Sequence, residues 1–177
     1  AATRPQVVAP VVAMEGDNAL QFRSNHDMAA FRTLDTTQSS DVIVEFLFQY
    51  SCTLGNNDFL SLWFGNANGP AIGLKANCGG GGCTNDMFVR TNGPGGSFAL
   101  TTDLLADTTS PVFGHLSKSA PGSTYNRFNL WLNPTALEMS TLKGWDANFS
   151  GASNISSFST IGFRTVNLDG GTSVRVD

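Results

Sequence analysis

The stretch DVIVEFLFQY, residues 41–50, decides the fold because its apolar side chains recur at every second position. In an extended chain, one side of this stretch would carry Val42, Val44, Phe46, Phe48 and Tyr50. The opposite side is mixed and less apolar. Period-two alternation of this kind is typical of a half-buried β-strand.

The same alternation continues through most of the chain. It recurs at 58–64 and 127–133, and shorter candidate strands lie at 18–24, 29–34, 71–76, 86–91, 97–102, 111–116, 155–166 and 172–177. Clusters of Gly, Asn, Asp and Pro separate them, and only 134–139 favours a helical turn. About ten strands at this spacing predict an all-β, two-sheet antiparallel jelly roll or sandwich.

The charge balance excludes several classes of partner. Charged residues make up 14% of the chain and the formal net charge is −4, with no basic cluster along the sequence. We therefore expect no binding to nucleic acid or to an anionic membrane through charge. No apolar run approaches the roughly 20 residues that a membrane-spanning helix needs. The opening Ala1-Ala2-Thr3 reads as a mature secreted chain, so we expect an extracellular or cell-surface location.

The order of the segments resembles a known family. The segments GDNALQF (16–22), VIVEFLFQY (42–50), NNDFLSLWFGN (56–66), AIGLKAN (71–77), RFNLWLNPT (127–135), ISSFSTIGFRT (155–165) and SVRVD (173–177) follow one another. Together they resemble bacterial secreted LamG-like, concanavalin A-like jelly rolls, including those found with a PEP-CTERM sorting tail. The resemblance implies the fold and an extracellular address, but no single activity. It covers 16–177, without the tail and with a final strand that stops early at Asp177.

The glycine-rich segment NCGGGGCTND, residues 77–86, is predicted to be a disulfide-clasped hairpin. Its C-x4-C spacing suits neither a zinc site nor a thioredoxin-type pair, and no helix follows to make it a phosphate loop. A Cys78–Cys83 bridge would hold the tip closed. The third cysteine, Cys52, leaves other arrangements open: it pairs with one of these two, stays a free thiol, or forms an intermolecular bridge.

The sequence lacks the residue patterns of the hydrolases that share this fold class. Concanavalin A-like glycosidases carry an E-x-D-x-x-E arrangement on one strand, and none of the three glutamates, Glu15, Glu45 and Glu138, belongs to such a segment. No Gly-x-Ser-x-Gly segment is present. We therefore predict that the protein is not an enzyme.

Carbohydrate binding is one of two functions that the sequence favours. Trp63 and Trp131 are out of phase with the apolar faces of their strands, and Trp145 falls in a predicted loop. Outward-facing indoles beside Asn side chains would form a platform on which sugars stack. The alternative is that both sheet faces are covered and the tryptophans pack inside.

Two further kinds of site are predicted from local patterns. Asp17 and Asp177 lie near the ends of the first and last family-like strands, where carboxylates could bind calcium; no other cofactor is expected. Asn148-Phe149-Ser150 and Asn154-Ile155-Ser156 match the N-glycosylation pattern, which predicts Asn148 and Asn154 as acceptors.

The N-terminal segment 1–15 is predicted to be an arm outside the jelly-roll domain of residues 16–177. It is apolar and β-branched, and its strand-forming side chains are Val7, Val8, Val11 and Val12. Such an arm needs a β-sheet to cover it. It either folds back onto its own domain or is donated to the sheet of another copy. The sequence therefore favours a non-catalytic extracellular structural protein that self-assembles through this strand, with a monomeric lectin-like module that binds polysaccharide as the alternative.

Overall fold

The structure, a computed structural model, describes residues 6–8, 19–51, 54–79, 82–93, 99–168 and 173–177. These residues form strands and one short helix. In chain order they are β1 (Gln6–Val8), β2 (Ala19–Phe22), β3 (Ser24–Gln38), β4 (Val42–Ser51), β5 (Phe59–Phe64), β6 (Ala71–Gly79), β7 (Gly82–Arg90), β8 (Ala99–Asp103), β9 (Ser110–Ser117), β10 (Arg127–Leu132), α1 (Ala136–Thr141), β11 (Ala147–Ser150), β12 (Phe158–Leu168) and β13 (Ser173–Val176).

The strands form two antiparallel sheets that face each other. The seven-stranded sheet has the order β1-β2-β13-β4-β9-β10-β11, and the six-stranded sheet has the order β3-β12-β5-β6-β7-β8. The predicted all-β, two-sheet antiparallel sandwich is therefore confirmed. Among the described residues, no helix is long and apolar enough to cross a bilayer.

The core fills the space between the two sheets. Phe46, Phe48 and Tyr50 of β4 belong to the same buried cluster as Leu60 and Leu62 of β5. The apolar phase predicted from residues 41–50 is the one that faces this core. Burial of these large side chains, at roughly 1.5–3 kcal/mol each, is the main force that holds the two sheets together.

Of two short elements, one is determined by its local sequence and the other by pairing with a neighbouring strand. The predicted helical turn exists as α1, where Thr135 and Glu138 form a reciprocal capping box. The edge strand β11 was not predicted, because ANFS has too few residues for a visible alternation. Its position comes from pairing with β10, in which Phe149 lies opposite Phe128.

The N-terminal strand lies in its own subunit. β1 pairs antiparallel with β2, with Val7 opposite Leu20 and Val8 opposite Ala19, and it forms the outer strand of the seven-stranded sheet. For these three residues the structure has the fold-back arrangement, one of the two that the sequence left open. Val11, Val12 and the predicted domain boundary at residue 15 lie outside the described residues.

Candidate functional site

The outer face of the six-stranded sheet, on the side away from the core, carries the candidate site. On β5, Leu60, Leu62 and Phe64 enter the core cluster, so Phe59, Ser61 and Trp63 point the other way. These three side chains are also buried, with 8%, 0% and 1% of their surface exposed. Side chains of the neighbouring strands therefore fill this face as well.

Strand register assembles this face into rows of neighbouring side chains. Trp63 lies opposite Gly162 of β12 and Ala71 of β6. Gly162 in turn lies opposite Phe31 of β3, and Ala71 lies opposite Arg90 of β7. Directly opposed residues share a face of the sheet. One row therefore runs from Phe31 across five strands to Arg90.

The next two rows add aromatic and charged groups. Arg164, Ser61, Gly73 and Phe88 are successive cross-strand neighbours, and the row beyond them consists of Val166, Phe59, Lys75 and Asp86. Ser61 and Gly73 are the small residues in the middle of the first of these rows, and larger side chains surround them. A cleft of about 230 Å³ opens here. We call it the arginine cleft; its lining residues are Asn57, Phe59, Lys75, Phe88, Arg90, Arg164 and Val166.

Gly162 allows the indole of Trp63 to lie flat across β12. A Cβ atom at position 162 would overlap the Trp63 ring and would approach the carbonyl oxygen of Ala30 to 2.7 Å. Only glycine leaves room for both contacts. The ring lies in the row between Phe31 and Arg90.

The guanidinium of Arg90 lies over two aromatic rings. The carbon at its centre lies 5.4 Å from the ring centroid of Phe88 and 5.7 Å from that of Phe59. The two phenylalanine rings meet edge-on at 6.1 Å. Cation–π contacts of this kind restrict the movement of the guanidinium. Only 4% of the Arg90 surface is exposed.

Burial lowers the pKa of the basic groups in the cleft. The pKa of Arg90 falls from its usual value to about 10, chiefly through desolvation and secondly through the charge of Arg164. The pKa of Lys75 is also lowered, by desolvation and then by Arg90. The cleft thus brings three basic side chains together in a chain whose formal net charge is −4.

Several buried polar atoms on this face have no hydrogen-bond partner. They are Ser61 Oγ, Trp63 Nε1 and the Nε and Nη2 atoms of Arg90. Native proteins leave few buried polar groups unsatisfied, because each costs about 1–3 kcal/mol. Three neighbouring residues on this face, Ser61, Trp63 and Arg90, are in this condition.

A second depression lies on the same face. Its volume is about 510 Å³, and its lining includes Phe31, Trp63, Asn66, Asn68 and Thr160. Phe31 is 61% exposed, which is unusual for a large aromatic residue. An exposed ring beside amide and hydroxyl groups is the combination that sugar binding requires.

The structure separates the three tryptophans that the sequence proposed for carbohydrate binding. Trp63 lies on the outer face of the six-stranded sheet, whereas Trp131 lies on the outer face of the seven-stranded sheet. Both are buried, so they do not form one exposed stacking platform. Trp131 Nε1 donates to the Lys143 carbonyl oxygen at 2.9 Å. Trp145, in the loop after α1, is 45% exposed, in agreement with its predicted loop position.

Two glutamates lie among the described residues: Glu138 caps a helix and Glu45 is exposed. Glu138 accepts hydrogen bonds from the backbone and side chain of Thr135, which lower its pKa. Glu45 is exposed and lines a shallow depression together with Asp177. Glu15 and Asp17 lie outside the described residues, so the predicted calcium site cannot form from described residues alone. Within the described ranges, no group of three or more His, Cys, Asp or Glu residues could hold a metal.

The glycine-rich segment is a hairpin, as predicted. The β6–β7 register places Cys78 directly opposite Cys83, and Gly79 opposite Gly82. Directly opposed residues in antiparallel strands have Cα atoms about 4.5–5.5 Å apart, within the range that a disulfide spans. Cys52 lies outside the described residues, and the bridge itself stays a prediction.

The predicted glycosylation sites are both at the surface. Asn148 of β11 and Asn154 in the loop before β12 are exposed. An acceptor asparagine must be accessible, so their positions suit the modification, which stays a prediction.

The cluster of cationic side chains was not predicted from the sequence. Lys75, Arg90 and Arg164 are far apart along the chain and meet only through the β12-β5-β6-β7 order. The sequence did contain one relevant pattern. Arg90 and Phe88 are two residues apart on a predicted strand, so they are expected on the same face of the sheet. Without the strand order, that phase could not show which residues would be its neighbours.

Comparisons with known proteins support the fold alone. No protein-family model matches the sequence, and no curated protein sequence matches it either. One similar solved structure is a conserved carbohydrate esterase from Shiga toxin-encoding bacteriophage phi24B, with TM-score 0.55, 10% identity, and coverage of 100% of this chain and 85% of that chain. Another is a cellulose-induced protein, Cip1, with TM-score 0.52, 15% identity, and coverage of 99% and 84%. The resemblance predicted from sequence is thus confirmed as a β-sandwich of the jelly-roll kind, and neither LamG nor PEP-CTERM membership is established.

Proposed function

We propose that this chain is a non-catalytic carbohydrate-binding module that binds a saccharide on the outer face of its six-stranded sheet. The observation that carries the proposal is the group of buried, unpartnered polar atoms on that face: Ser61 Oγ, Trp63 Nε1, and Arg90 Nε and Nη2. Sugars are rich in hydrogen-bond acceptors and also present apolar ring faces. The site offers unfilled donors beside phenylalanine rings, which suits both properties.

The dimensions of the face suit a chain of sugars better than a single one. Phe31 and Arg90 lie at the two ends of one row, four strand spacings apart, which is roughly 19 Å at about 4.8 Å per strand. Both depressions open along this row. An oligosaccharide could stack on Phe31 at one end and reach the arginine cleft at the other.

The names of the two similar structures accord with this proposal without carrying it. One is called a carbohydrate esterase and the other a cellulose-induced protein. At this level of identity the likeness supports the fold only, so the proposal depends on the residues of this chain. We also propose an extracellular or cell-surface location, which polysaccharide binding would require.

Replacing Phe31 with alanine should weaken glycan binding by about tenfold, the effect of losing roughly 1.5 kcal/mol of apolar burial. Binding to a glycan array, followed by calorimetry with the best ligand, would measure it. Trp145→Ala is the matched control, because it removes an exposed aromatic ring from the loop after α1, which lines neither depression. Loss of binding in Trp145→Ala and not in Phe31→Ala would instead support the loop site predicted from sequence.

Self-association through the N-terminal strand is a second candidate function. β1 is the outer strand of the seven-stranded sheet, so among the described strands it is paired on one side only. An edge of this kind can pair with a second copy, or β1 can exchange between copies. Light scattering on the full chain and on a chain lacking residues 1–14 would test it. A monomeric full chain at high concentration would exclude this candidate.

We propose that Cys78 and Cys83 form a disulfide across the hairpin. Peptide mapping without reduction should recover the two cysteines as one linked pair, also in a Cys52→Ala variant. Reduction should lower the free energy of unfolding by about 2 kcal/mol, because the closed loop is short. Recovery of Cys52 linked to either residue would show that the pairing is different.

A further inference from the structure

We propose that the arginine cleft selects a saccharide that carries an anionic group, either the carboxylate of a uronic acid or a sulfate ester, through the side-on edge of Arg90. This inference deepens the proposed function and rests on it. It identifies the chemical class of the ligand, which sugar binding alone leaves open.

The two unpartnered nitrogens of Arg90 lie on one edge of the guanidinium. In an arginine side chain, the Nε–H bond and one Nη2–H bond point in parallel on the side away from Cδ. This edge binds two oxygens of a carboxylate or sulfate at once. Both atoms lack a partner in the structure. The unfilled positions therefore match the spacing of two oxygens on a single anionic group.

The surroundings hold this edge in place. The guanidinium carbon lies over the rings of Phe59 and Phe88, at 5.7 and 5.4 Å from their centroids. These two contacts restrict the side chain while Nε and Nη2 keep no hydrogen-bond partner. An arginine whose orientation is fixed loses less conformational entropy on binding than a mobile surface arginine.

The charges nearby favour an anion. Desolvation is the larger cause of the lowered pKa of both Arg90 and Lys75, and a neighbouring cation is the second cause, Arg164 for Arg90 and Arg90 for Lys75. The three cations therefore lie close enough to act on a ligand in the same cleft. The acidic residue Asp86 lies opposite Lys75, one row away from Phe88. It offsets part of this charge near Lys75 and gives Arg90 no hydrogen bond to Nε or Nη2.

Burial of the edge also sets a condition for binding. Nε and Nη2 have almost no contact with solvent, so water does not replace the missing acceptor. A charged group in this state is costly, and an anionic ligand would remove that cost. The side chains around the edge have to move apart for the anion to enter, and the cleft beside them provides the entry.

The test begins with the full chain on an array of neutral, uronate-containing and sulfated glycans. The best acidic ligand is then measured by calorimetry beside its charge-neutral form, the methyl ester for a uronate or the desulfated glycan for a sulfate. We expect retention of acidic glycans and at least tenfold weaker binding of the neutral form. Which acidic class is retained distinguishes carboxylate from sulfate.

Variants then assign the effect to Arg90. Arg90→Gln should weaken binding of the acidic ligand at least thirtyfold, the usual consequence of truncating one partner of a buried charged pair. Arg90→Lys keeps the charge and loses the two-point edge, so it should weaken binding about tenfold. Arg127→Gln, which removes an exposed arginine from the other sheet, should bind within about twofold of the unmodified chain.

The outcomes separate the two proposals. If the array retains neutral glycans only, or if the neutral form binds as tightly as the acidic one, this inference is wrong and the proposed function stands. Unchanged binding of the acidic ligand by Arg90→Gln also overturns the role of Arg90. If no glycan is retained, the proposed function fails and this inference fails with it. The array and the neutral-form comparison use the unmodified chain, so they remain decisive if a variant does not fold.

Discussion

Replacing Arg90 with methionine should raise the free energy of unfolding by about 1–3 kcal/mol and at the same time abolish binding of the acidic glycan. Arg90 is 4% exposed, and its Nε and Nη2 atoms have no partner. Methionine has a similar length and can pack against the rings of Phe59 and Phe88, with a favourable sulfur–aromatic contact. The variant therefore removes a desolvated charge and leaves the packing nearly filled.

The pKa of Arg90 gives the sign of this effect. It is lowered from its usual value to about 10, first by burial and second by Arg164. The folded chain thus binds this proton less tightly than the unfolded chain does. The charged side chain therefore lowers the stability at every pH below about 10, and this penalty is relieved only as the pH rises above that value. At neutral pH the penalty is fully present, so its removal should stabilise the fold.

Urea unfolding at neutral pH, followed by tryptophan fluorescence, would measure the change. Arg127→Met is the control for loss of an exposed arginine, and its stability should change by less than about 0.5 kcal/mol. A clear loss of stability in Arg90→Met would mean that Arg90 is held for structural reasons, through its contacts with the two rings. A gain in stability together with lost binding is the pattern expected of a residue retained for function.

The fold was predictable because it depends on a local pattern. Alternation at residues 42–50 identified the face of β4 that enters the core, and the phase of Leu60 and Leu62 did the same for β5. The core-facing positions of both strands were predicted correctly because one face of each strand is uniformly apolar. The pattern failed for β11, which is short and depends on its pairing with β10.

The site was harder to predict than the fold. It depends on the order of the strands in the six-stranded sheet and on which side chains cover the outer face of that sheet. Trp63 was correctly placed away from the core, yet its exposure was not predictable. Its burial arises from Gly162 on a strand about a hundred residues later, whose missing Cβ makes room for the ring. Arg90 and Lys75 were not among the site residues predicted from the sequence. Only the order β12-β5-β6-β7 brings them beside Arg164.

Replacing Trp131 with alanine should lower the free energy of unfolding by about 3–5 kcal/mol and leave the affinity of the folded protein for glycan unchanged. None of the Trp131 surface is exposed, and its ring packs edge-on against Phe113 with the centroids 5.3 Å apart. Its Nε1 holds the Lys143 carbonyl oxygen, which fixes the segment between α1 and β11. The substitution removes this hydrogen bond and leaves a large cavity under the segment.

Trp131→Phe provides the graded comparison, because it keeps an aromatic ring against Phe113 and loses the hydrogen bond to Lys143. It should cost less than Trp131→Ala, and the difference between the two measures the packing contribution. Thermal unfolding gives the stability, and calorimetry below the unfolding transition gives the affinity. If Trp131→Ala were as stable as the unmodified chain and did not bind glycan, the binding surface would lie on the seven-stranded sheet. The unfilled donors around Arg90 would then need another explanation. Because Trp131 and Arg90 lie on opposite outer faces of the sandwich, this pair of substitutions separates a residue that supports the fold from one that recognises a ligand.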